Sequence, residues 1–287
     1  AALGRRLAVA PAPVLLTPPP PAARAPARTP RGGAVLRVAL TTLAVLALWH
    51  ALMEAFGLDP FFAKRPADVW AFLVTAPGAA SQRGLLFGAF GQTVVLAVPG
   101  YLAGLALGAG LAMALALRPG LRSGVLPVAI ALRSVPIVTT APLIVLALGR
   151  GATGTIAVTA VMIFFPTLVA CLNGLRQTPG QVRDVFASYA ASPWQRLVHA
   201  QVPAMLPAFF AAARMAVPAA ILAATTTEWL ATGIGMGTLM ALSASTSAYS
   251  MLWSAIALMA VTAALAYLAV EAVERRVLTR FAPEQTV

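Results

Sequence analysis

The feature that most constrains this chain is a run of 34 residues, 84–117, that contains no charged side chain. A helix needs about 20 apolar residues to cross the hydrocarbon core of a bilayer. The run is therefore too long for one perpendicular span and too short for two spans with a turn, and one long span with an interfacial lead-in fits it best. The composition agrees, because 60% of the residues are hydrophobic and only 10% are charged, against about 25% charged in a soluble domain.

Further apolar segments predict an all-α integral membrane protein with about six spans in a membrane domain covering residues 34–280. The other predicted spans are residues 34–53, a segment that ends at Leu148, residues 154–175 with a kink at Pro166, a segment that follows Pro207, and residues 251–270. Residues 63–74 predict a short interfacial helix anchored by Trp70. Residues 1–33, rich in Pro, Ala and Arg, are expected to form a disordered tail, and 281–287 a second tail.

Two local patterns refine the membrane domain. Gly100, Gly104 and Gly108 recur every four residues, which predicts a ridge of small residues against which another helix packs closely. A tight turn at Pro119-Gly120 is expected to separate the second and third spans. The third span is interrupted by Arg133, Pro136 and Pro142.

The charges predict how these spans are oriented. The net charge of +12 suggests nucleic acid in a soluble protein, but in a membrane protein it is better explained by arginines on the cytoplasmic side. With the first tail inside, fourteen basic residues fall on the inner face and four on the outer face. Both termini are therefore predicted to be cytoplasmic.

Residues 178–207 are the longest polar interruption of the chain and predict two short helices. Thr178-Pro179 and Ser192-Pro193 each precede a glutamine three residues after the cap, which is typical of a helix N-terminus. An apolar stripe, spaced at i, i+3, i+4 and i+7, predicts an amphipathic first helix; its members are Val182, Val185, Phe186 and Tyr189. This face must rest on lipid, on the spans of this chain or on another protein.

The same stretch resembles the EAA loop of bacterial ABC-importer permeases, whose pattern is E-A-A, three residues, Gly, nine residues and I-x-L-P. Asp184 stands for the glutamate, Val185 and Phe186 for the alanines, and Ala190 for the glycine. Ala200, Val202 and Pro203 fall where the pattern has I, L and P. In that family the loop docks on an ATPase subunit, so the resemblance implies an ATPase-coupling surface. The residues assigned to it are Asp184, Val185, Phe186, Tyr189, Ala190, Ala191, Ser192, Trp194 and Pro203.

Four other segments are similar to the nitrate/sulfonate/taurine-type branch of these permeases. They are KRPADVW, LRSVPIVTTAPLIVLALGRG, FFPTLVACLNGLRQTP and EWLATGIGMGTLM. The resemblance implies a type I importer permease fold, a dimer around a central pathway, two ATPase subunits inside and a solute-binding protein outside. It also implies a small solute of the sulfonate, taurine, nitrate or vitamin-precursor class, and a multi-pass location in a bacterial plasma (inner) membrane.

Charged and hydroxyl side chains inside the predicted spans are candidates for a pathway or gate. They are Arg133, Thr139, Thr140, Arg214 and Glu228, with Thr225, Thr226 and Thr227 as further polar lining. The structural alternative is equally open: Arg214 snorkels to the interface, Glu228 caps or pairs locally, and the threonines satisfy helix backbone. An arginine facing the pathway would favour an anionic solute.

Other functions fit the residues less well. The chain has no G-x-x-x-x-G-K-[ST] loop, so ATP and magnesium are expected on a partner subunit and no cofactor on this one. GIGMG at 233–237 predicts a re-entrant or gating turn. His50 and His199 are far apart, which argues against a metal site and against catalysis. The runner-up is an ion-coupled secondary transporter of a small anion, and an intramembrane enzyme is a third class.

Overall fold

The computed structural model describes residues 31–133, 136–149 and 151–281, and within them the chain is helical with short turns. The fold follows from eleven helices in the described residues. They are α1 (Arg31–Ala55), α2 (Pro66–Trp70), α3 (Ala79–Leu117), α4 (Pro119–Arg133), α5 (Ile137–Leu148), α6 (Ala152–Arg176), α7 (Gly180–Ser188), α8 (Pro193–Arg196), α9 (Val202–Thr227), α10 (Gly235–Ser245) and α11 (Tyr249–Phe281). Single π-helical turns follow α2, α8 and α9, at Ala71–Thr75, Leu197–Gln201 and Glu228–Thr232. The predicted all-helical class is confirmed.

Four helical segments are long and apolar enough to cross a membrane: Ala79–Leu117, Ala152–Arg176, Pro193–Thr232 and Tyr249–Phe281. They correspond to predicted spans two, four, five and six. Predicted spans one and three contain shorter apolar helices, Ala39–Ala55 and Thr139–Leu148. The count of six therefore remains a prediction, while four of the spans are found.

The third predicted span is two helices because of its prolines. Pro136 is the N-cap residue of α5 and has extended backbone angles, φ −61° and ψ 123°. A proline has no N–H to donate to the preceding turn, and it disfavours helix in the residue before it. The prediction of a turn at Pro119-Gly120 is wrong by one or two residues: these are the first residues of α4, and the chain changes direction at Arg118, whose φ is −128°.

Predicted boundaries at the chain ends also shift. α11 continues to Phe281, eleven residues beyond the predicted end of span six, because its charged C-terminal part still forms helix and carries an Arg275–Glu271 ion pair at i,i+4 spacing. The predicted tails, 1–33 and 281–287, lie outside the described residues except for 31–33, which belong to α1, and Phe281, which ends α11.

The three glycines of α3 pack against α6, as their spacing predicts. A Cβ added at Gly104 would lie 2.6 Å from Ile163 Cβ and 2.7 Å from the carbonyl oxygen of Ala160. Gly100 and Gly108 meet α6 in the same way, at Thr159 and at Phe164 and Thr167. The helices approach this closely only because no side chain stands between them. Pro166 lies inside α6, which is helical through that residue.

The segment between α1 and α3 is tied to the N-terminal part of α11. Trp49 of α1 stacks on Trp253 at 5.4 Å between ring centroids, and the Trp253 indole N–H donates to the carbonyl of Phe62 at 2.7 Å. The short helix expected in residues 63–74 is present as α2 and its π-helical turn, with Trp70 exposed. Asp68 closes the start of α2 by accepting from the backbone N–H of Arg65 at 2.9 Å.

Candidate functional site

The loop between α6 and α9 folds as two short helices, but only one of the two predicted caps forms. Ser192 is the N-cap of α8: its hydroxyl accepts from the N–H of Gln195 at 3.2 Å, and the Gln195 side chain accepts from the N–H of Ser192 at 2.8 Å. The prediction that Thr178 caps α7 is wrong. Pro179 is the N-cap residue, and the buried Thr178 hydroxyl donates back to the carbonyl of Leu175 at 3.2 Å.

Ala190 ends α7 in a conformation that usually belongs to glycine. Its φ is +50°, in the left-handed region. The N–H of Ala191 donates to the carbonyl of Phe186 at 2.9 Å, and that of Ala190 to the carbonyl of Ala187 at 3.0 Å. This pair of bonds is a Schellman motif with Ala190 at C′, where glycine is the commonest residue because it has no Cβ to clash.

The predicted apolar stripe of α7 is exposed and does not rest on the spans of this chain. Val185 is 54% exposed and Tyr189 82% exposed, and Trp194 of α8 is 62% exposed. A groove of about 410 Å³ runs beside them, lined by Val185, Phe186, Tyr189, Ala191, Gln195 and His199. We call these exposed side chains and the groove the loop surface. Large apolar side chains clustered in an otherwise polar loop are typical of an interaction site.

The opposite side of the loop is anchored in the protein core. Leu197, in the π-helical turn after α8, is buried in a cluster with Leu115 of α3, Leu168 and Cys171 of α6, and Met205 of α9. Asp184 is exposed, and Pro203 is half-buried at the start of α9. The loop is thus fixed to the packed helices on one side and exposes its aromatic residues on the other.

The structure does not gather the predicted pathway residues into one cluster. Arg214 of α9 pairs with Glu274 of α11, at 2.8 Å between Nη1 and Oε2, and its guanidinium lies 5.9 Å from the ring centroid of Tyr267. Thr139 is exposed at the start of α5 and donates to the carbonyl of Pro136 at 2.7 Å; Thr140 beside it is half-buried. Arg133 is the last residue of α4, and its side chain lies outside the described residues.

Glu228 is fully buried and joins three helices. Its Oε2 atom accepts from the hydroxyl of Thr93 of α3 and from the N–H of Gly237 of α10, both at 2.9 Å. Thr93 Oγ1 in turn accepts from the N–H of Met236 at 2.8 Å, and the Gln92 side chain accepts from the N–H of Gly235 at 3.0 Å. A negative charge at a helix N-terminus is favourable. We call Gln92, Thr93, Glu228 and the N-terminus of α10 the Glu228 network.

The two glycines of this network are required by its geometry. Gly235 has φ +80°, and a Cβ there would collide with the Glu228 carboxylate; a Cβ at Gly237 would collide with the carbonyl of Thr225. Both glycines lie in EWLATGIGMGTLM, one of the four segments on which the resemblance rests, and Glu228 is its first residue. The predicted re-entrant turn at 233–237 is therefore the start of α10, folded back against α9 and α3.

Sequence reasoning missed the partners of both buried charges. Thr93 and Gln92 lie inside the uncharged run of α3, where nothing distinguishes them from other polar side chains in a span. Glu274 lies beyond residue 270, where the sixth span is predicted to end. One signal was available for it: Arg214 and Glu274 are opposite charges, each near the same predicted face of the membrane, and a buried charge requires a partner.

A second groove lies between α9 and α10. Its volume is about 570 Å³, and it is lined by Thr225, Thr226, Trp229, Gly237, Met240, Ala241, Ala244 and Ser245. Trp229 is 60% exposed there. We call it the α9–α10 groove.

Comparison with known proteins identifies this architecture. Residues 104–279 match the profile of the family described as "Binding-protein-dependent transport system inner membrane component". A probable ABC transporter permease protein of Haemophilus influenzae is 34% identical over 141 residues, 49% of this chain and 58% of that protein, so the match spans little more than half of that relative. The formylaminopyrimidine transport permease protein ThiX of Halalkalibacterium halodurans is 26% identical over 202 residues, 70% of this chain and 78% of that protein.

One solved structure shows the same fold. It is a bacterial ABC transporter involved in the import of the acidic polysaccharide alginate, with a TM-score of 0.56 over 85% of this chain and 96% of the chain compared. The sequence identity is 16%, so this likeness concerns the fold alone.

Proposed function

The chain belongs to the family of inner membrane components of binding-protein-dependent transport systems, and on that premise we propose that it is a permease subunit of an ATP-driven ABC importer. With a second copy or a paired permease, it forms the pathway for a small solute that a solute-binding protein delivers from outside. The ATPase subunits, which carry ATP and magnesium, dock on its cytoplasmic face. Both termini lie in the cytoplasm of a bacterial cell, and this chain itself catalyses no reaction.

The observation that carries the proposal is the loop surface. Its exposed aromatic side chains need a partner, its buried side is fixed to the core at Leu197, and Ala190 adopts the backbone conformation that suits the glycine of the EAA pattern. We propose that an ATPase subunit covers Val185, Tyr189 and Trp194. Closure of the ATPase dimer on ATP then displaces this loop and opens the pathway outward, and hydrolysis resets it.

For the solute, we propose the vitamin-precursor class, in particular a small pyrimidine. Support comes from the relative named as a formylaminopyrimidine permease, which matches 70% of this chain. The sulfonate, taurine and nitrate branch suggested by short motifs has less support, because Arg214, one of the two arginines predicted inside the spans, is already paired with Glu274.

A secondary transporter is the less favoured alternative. That mechanism would use Arg214 and Glu228 as ion-coupling groups, but each is occupied: Arg214 by Glu274 and Tyr267, Glu228 by Thr93 and Gly237. Transport that persists without an ATPase and collapses with the proton or sodium gradient would support the alternative.

The test is whether an ABC ATPase subunit co-purifies with this chain. Tyr189 is 82% exposed, so covering an aromatic side chain of about 200 Å² removes about 160 Å² from water, at most about 4 kcal/mol. Hot-spot truncations typically cost about 2 kcal/mol, or about 30-fold in affinity. Tyr189→Ala and Trp194→Ala are each expected to weaken ATPase binding by that factor.

The matched control is Trp70→Ala. Trp70 is 65% exposed, close to the 62% of Trp194, but it lies on α2 near the N-terminal part of α11. It is expected to leave ATPase binding unchanged. Equal losses for all three variants, or full ATPase binding by Tyr189→Ala together with Trp194→Ala, would refute docking at the loop surface.

A further inference from the structure

We propose that the α9–α10 groove is a solute half-site in the translocation pathway that takes a neutral, planar heteroaromatic ring stacked on Trp229. The inference rests on the permease function proposed above and adds the residues and the recognition chemistry. Three observations carry it: the lining of the groove, its charge and its position at a break in the helical structure.

The lining combines an aromatic face with hydrogen-bond acceptors. Trp229 is 60% exposed at the groove, and a base-like ring stacks on such a face with little regard to its substituents. The Thr225 hydroxyl donates to the carbonyl of Ile221 at 2.9 Å, and that of Ser245 to Leu242 at 2.9 Å. With their protons used, both oxygens offer lone pairs to ring N–H or amino groups of a solute.

The charges around the groove disfavour an anion. Among the described residues that line it, none is charged. The N-terminus of α10 beside it would attract an anion if its N–H groups were free. Those of Gly235, Met236 and Gly237 are instead taken by Gln92, Thr93 and Glu228, and Glu228 itself is acidic. A sulfonate or nitrate would find no cation there, whereas a neutral ring needs none.

The position of the groove fits a pathway. α10 has 11 residues, about 16 Å of helix, which cannot cross about 30 Å of hydrocarbon. Short helices and broken backbone at membrane depth are tolerated where they line a cavity. The groove floor at Gly237 is fixed by the Glu228 network, and a Cβ there would push α10 away from Thr225. The lining is therefore held by packed helices, as a binding site requires.

The test is equilibrium dialysis of a radiolabelled formylaminopyrimidine against the purified permease in lipid nanodiscs, with taurine as the anionic comparison. Wild type is expected to bind the pyrimidine at least tenfold more tightly than taurine. Trp229→Leu is expected to weaken pyrimidine binding about tenfold, and Trp229→Phe, which keeps an aromatic face, less than about threefold. Trp70→Leu, at similar exposure elsewhere, is expected to change nothing.

A wild type that binds no pyrimidine, or that binds taurine as tightly, overturns the proposal, and so does an equal loss of pyrimidine binding in Trp70→Leu.

A thiol-labelling experiment with Trp229→Cys in the assembled transporter tests whether a second copy of the chain covers the groove. Labelling by a small thiol reagent is expected, and protection overturns the proposal; wild type is the blank, because its single cysteine, Cys171, is buried. If the pyrimidine-binding or labelling results contradict the proposal while ATPase co-purification depends on Tyr189 and Trp194, the half-site is wrong and the permease function stands. If the ATPase does not co-purify with wild type, the permease function fails first.

Discussion

Replacing Gly104 with alanine isolates the energetic value of the glycine ridge between α3 and α6. The new Cβ would lie 2.6 Å from Ile163 Cβ and 2.7 Å from the carbonyl oxygen of Ala160. Carbon atoms in contact are ordinarily about 3.5–4.0 Å apart, so the helices must separate by about 1 Å or Ile163 must move. The Ala160 carbonyl belongs to the backbone of α6 and cannot rotate away.

The magnitude follows from two opposing effects. Overpacking of this kind costs about 1–3 kcal/mol, while alanine is favoured over glycine in a helix by about 1 kcal/mol. Gly110 lies on the same helix, and a Cβ there would meet nothing within 4 Å. Gly110→Ala therefore carries the helix preference without the clash. The difference between the two variants is expected to be about 1–3 kcal/mol, with Gly104→Ala the less stable.

The assay is unfolding of the purified protein in mild detergent by added SDS, followed by far-UV circular dichroism. Gly104→Ala is expected to unfold at the same SDS concentration as wild type or a lower one. Gly110→Ala is expected to unfold at the same SDS concentration as wild type or a higher one. If Gly104→Ala is as stable as Gly110→Ala, α3 and α6 do not depend on a side-chain-free contact at this position, and the ridge argument is refuted.

Three further substitutions test other parts of the structure. Ala190→Gly is expected to stabilise the protein by about 0.5–1 kcal/mol, because glycine removes the strain of the left-handed conformation at φ +50°. The control, Ala187→Gly inside α7, should destabilise it by about 1 kcal/mol. Thermal unfolding compares the two variants, and equal shifts in melting temperature would contradict the strain. Glu228→Ala leaves the Gly237 N–H without its acceptor and empties a fully buried site, whereas the Thr93 hydroxyl keeps the carbonyl of Ala89 at 3.3 Å. We expect a cost of about 3–5 kcal/mol, against about 1 kcal/mol for Glu228→Gln, which keeps an acceptor and loses the charge at the α10 N-terminus. The same SDS unfolding measures both variants, and equal costs would exclude the hydrogen-bond argument. Arg214→Leu is expected to lower the free energy of unfolding by about 3–5 kcal/mol, because Glu274 is left buried and unpaired. The double variant Arg214→Leu with Glu274→Leu should recover most of that stability. If the costs of the two single variants simply add in the double variant, the two charges do not interact.

The parts of the fold that sequence predicts well are those set by local geometry. The spacing of Gly100, Gly104 and Gly108 places them on one helix face whatever the rest of the chain does, and the predicted close packing is found. The Ser192 cap and the turn at Ala190 are similarly local, since each depends on residues within five positions.

The failures come from contacts that local patterns do not contain. Thr178-Pro179 and Ser192-Pro193 have the same start signal, yet only Ser192 caps its helix, because Thr178 is buried and bonds back to α6. Glu228 and Thr93 are 135 positions apart in sequence, and nothing near either residue indicates the other. Arg214 and Glu274 are also far apart in sequence, and only their opposite charges near one predicted face hint at the pair. Their pairing replaces the predicted choice between snorkelling and pathway lining.

Residues Pro193–Thr232 form 40 residues of continuous helix. At about 1.5 Å per residue it is a rod of about 60 Å, with Trp194 at one end and Trp229 at the other. A tilt of about 5° at one end moves the opposite end by about 5 Å on this length. The proposed ATPase-docking surface and the proposed solute half-site therefore lie at opposite ends of one helix. A movement of the first end reaches the second through the helix itself, without a relay of side chains. Pro203, Pro207 and Pro218 lack the N–H that would bond to the preceding turn, and they are the positions at which this helix bends most easily.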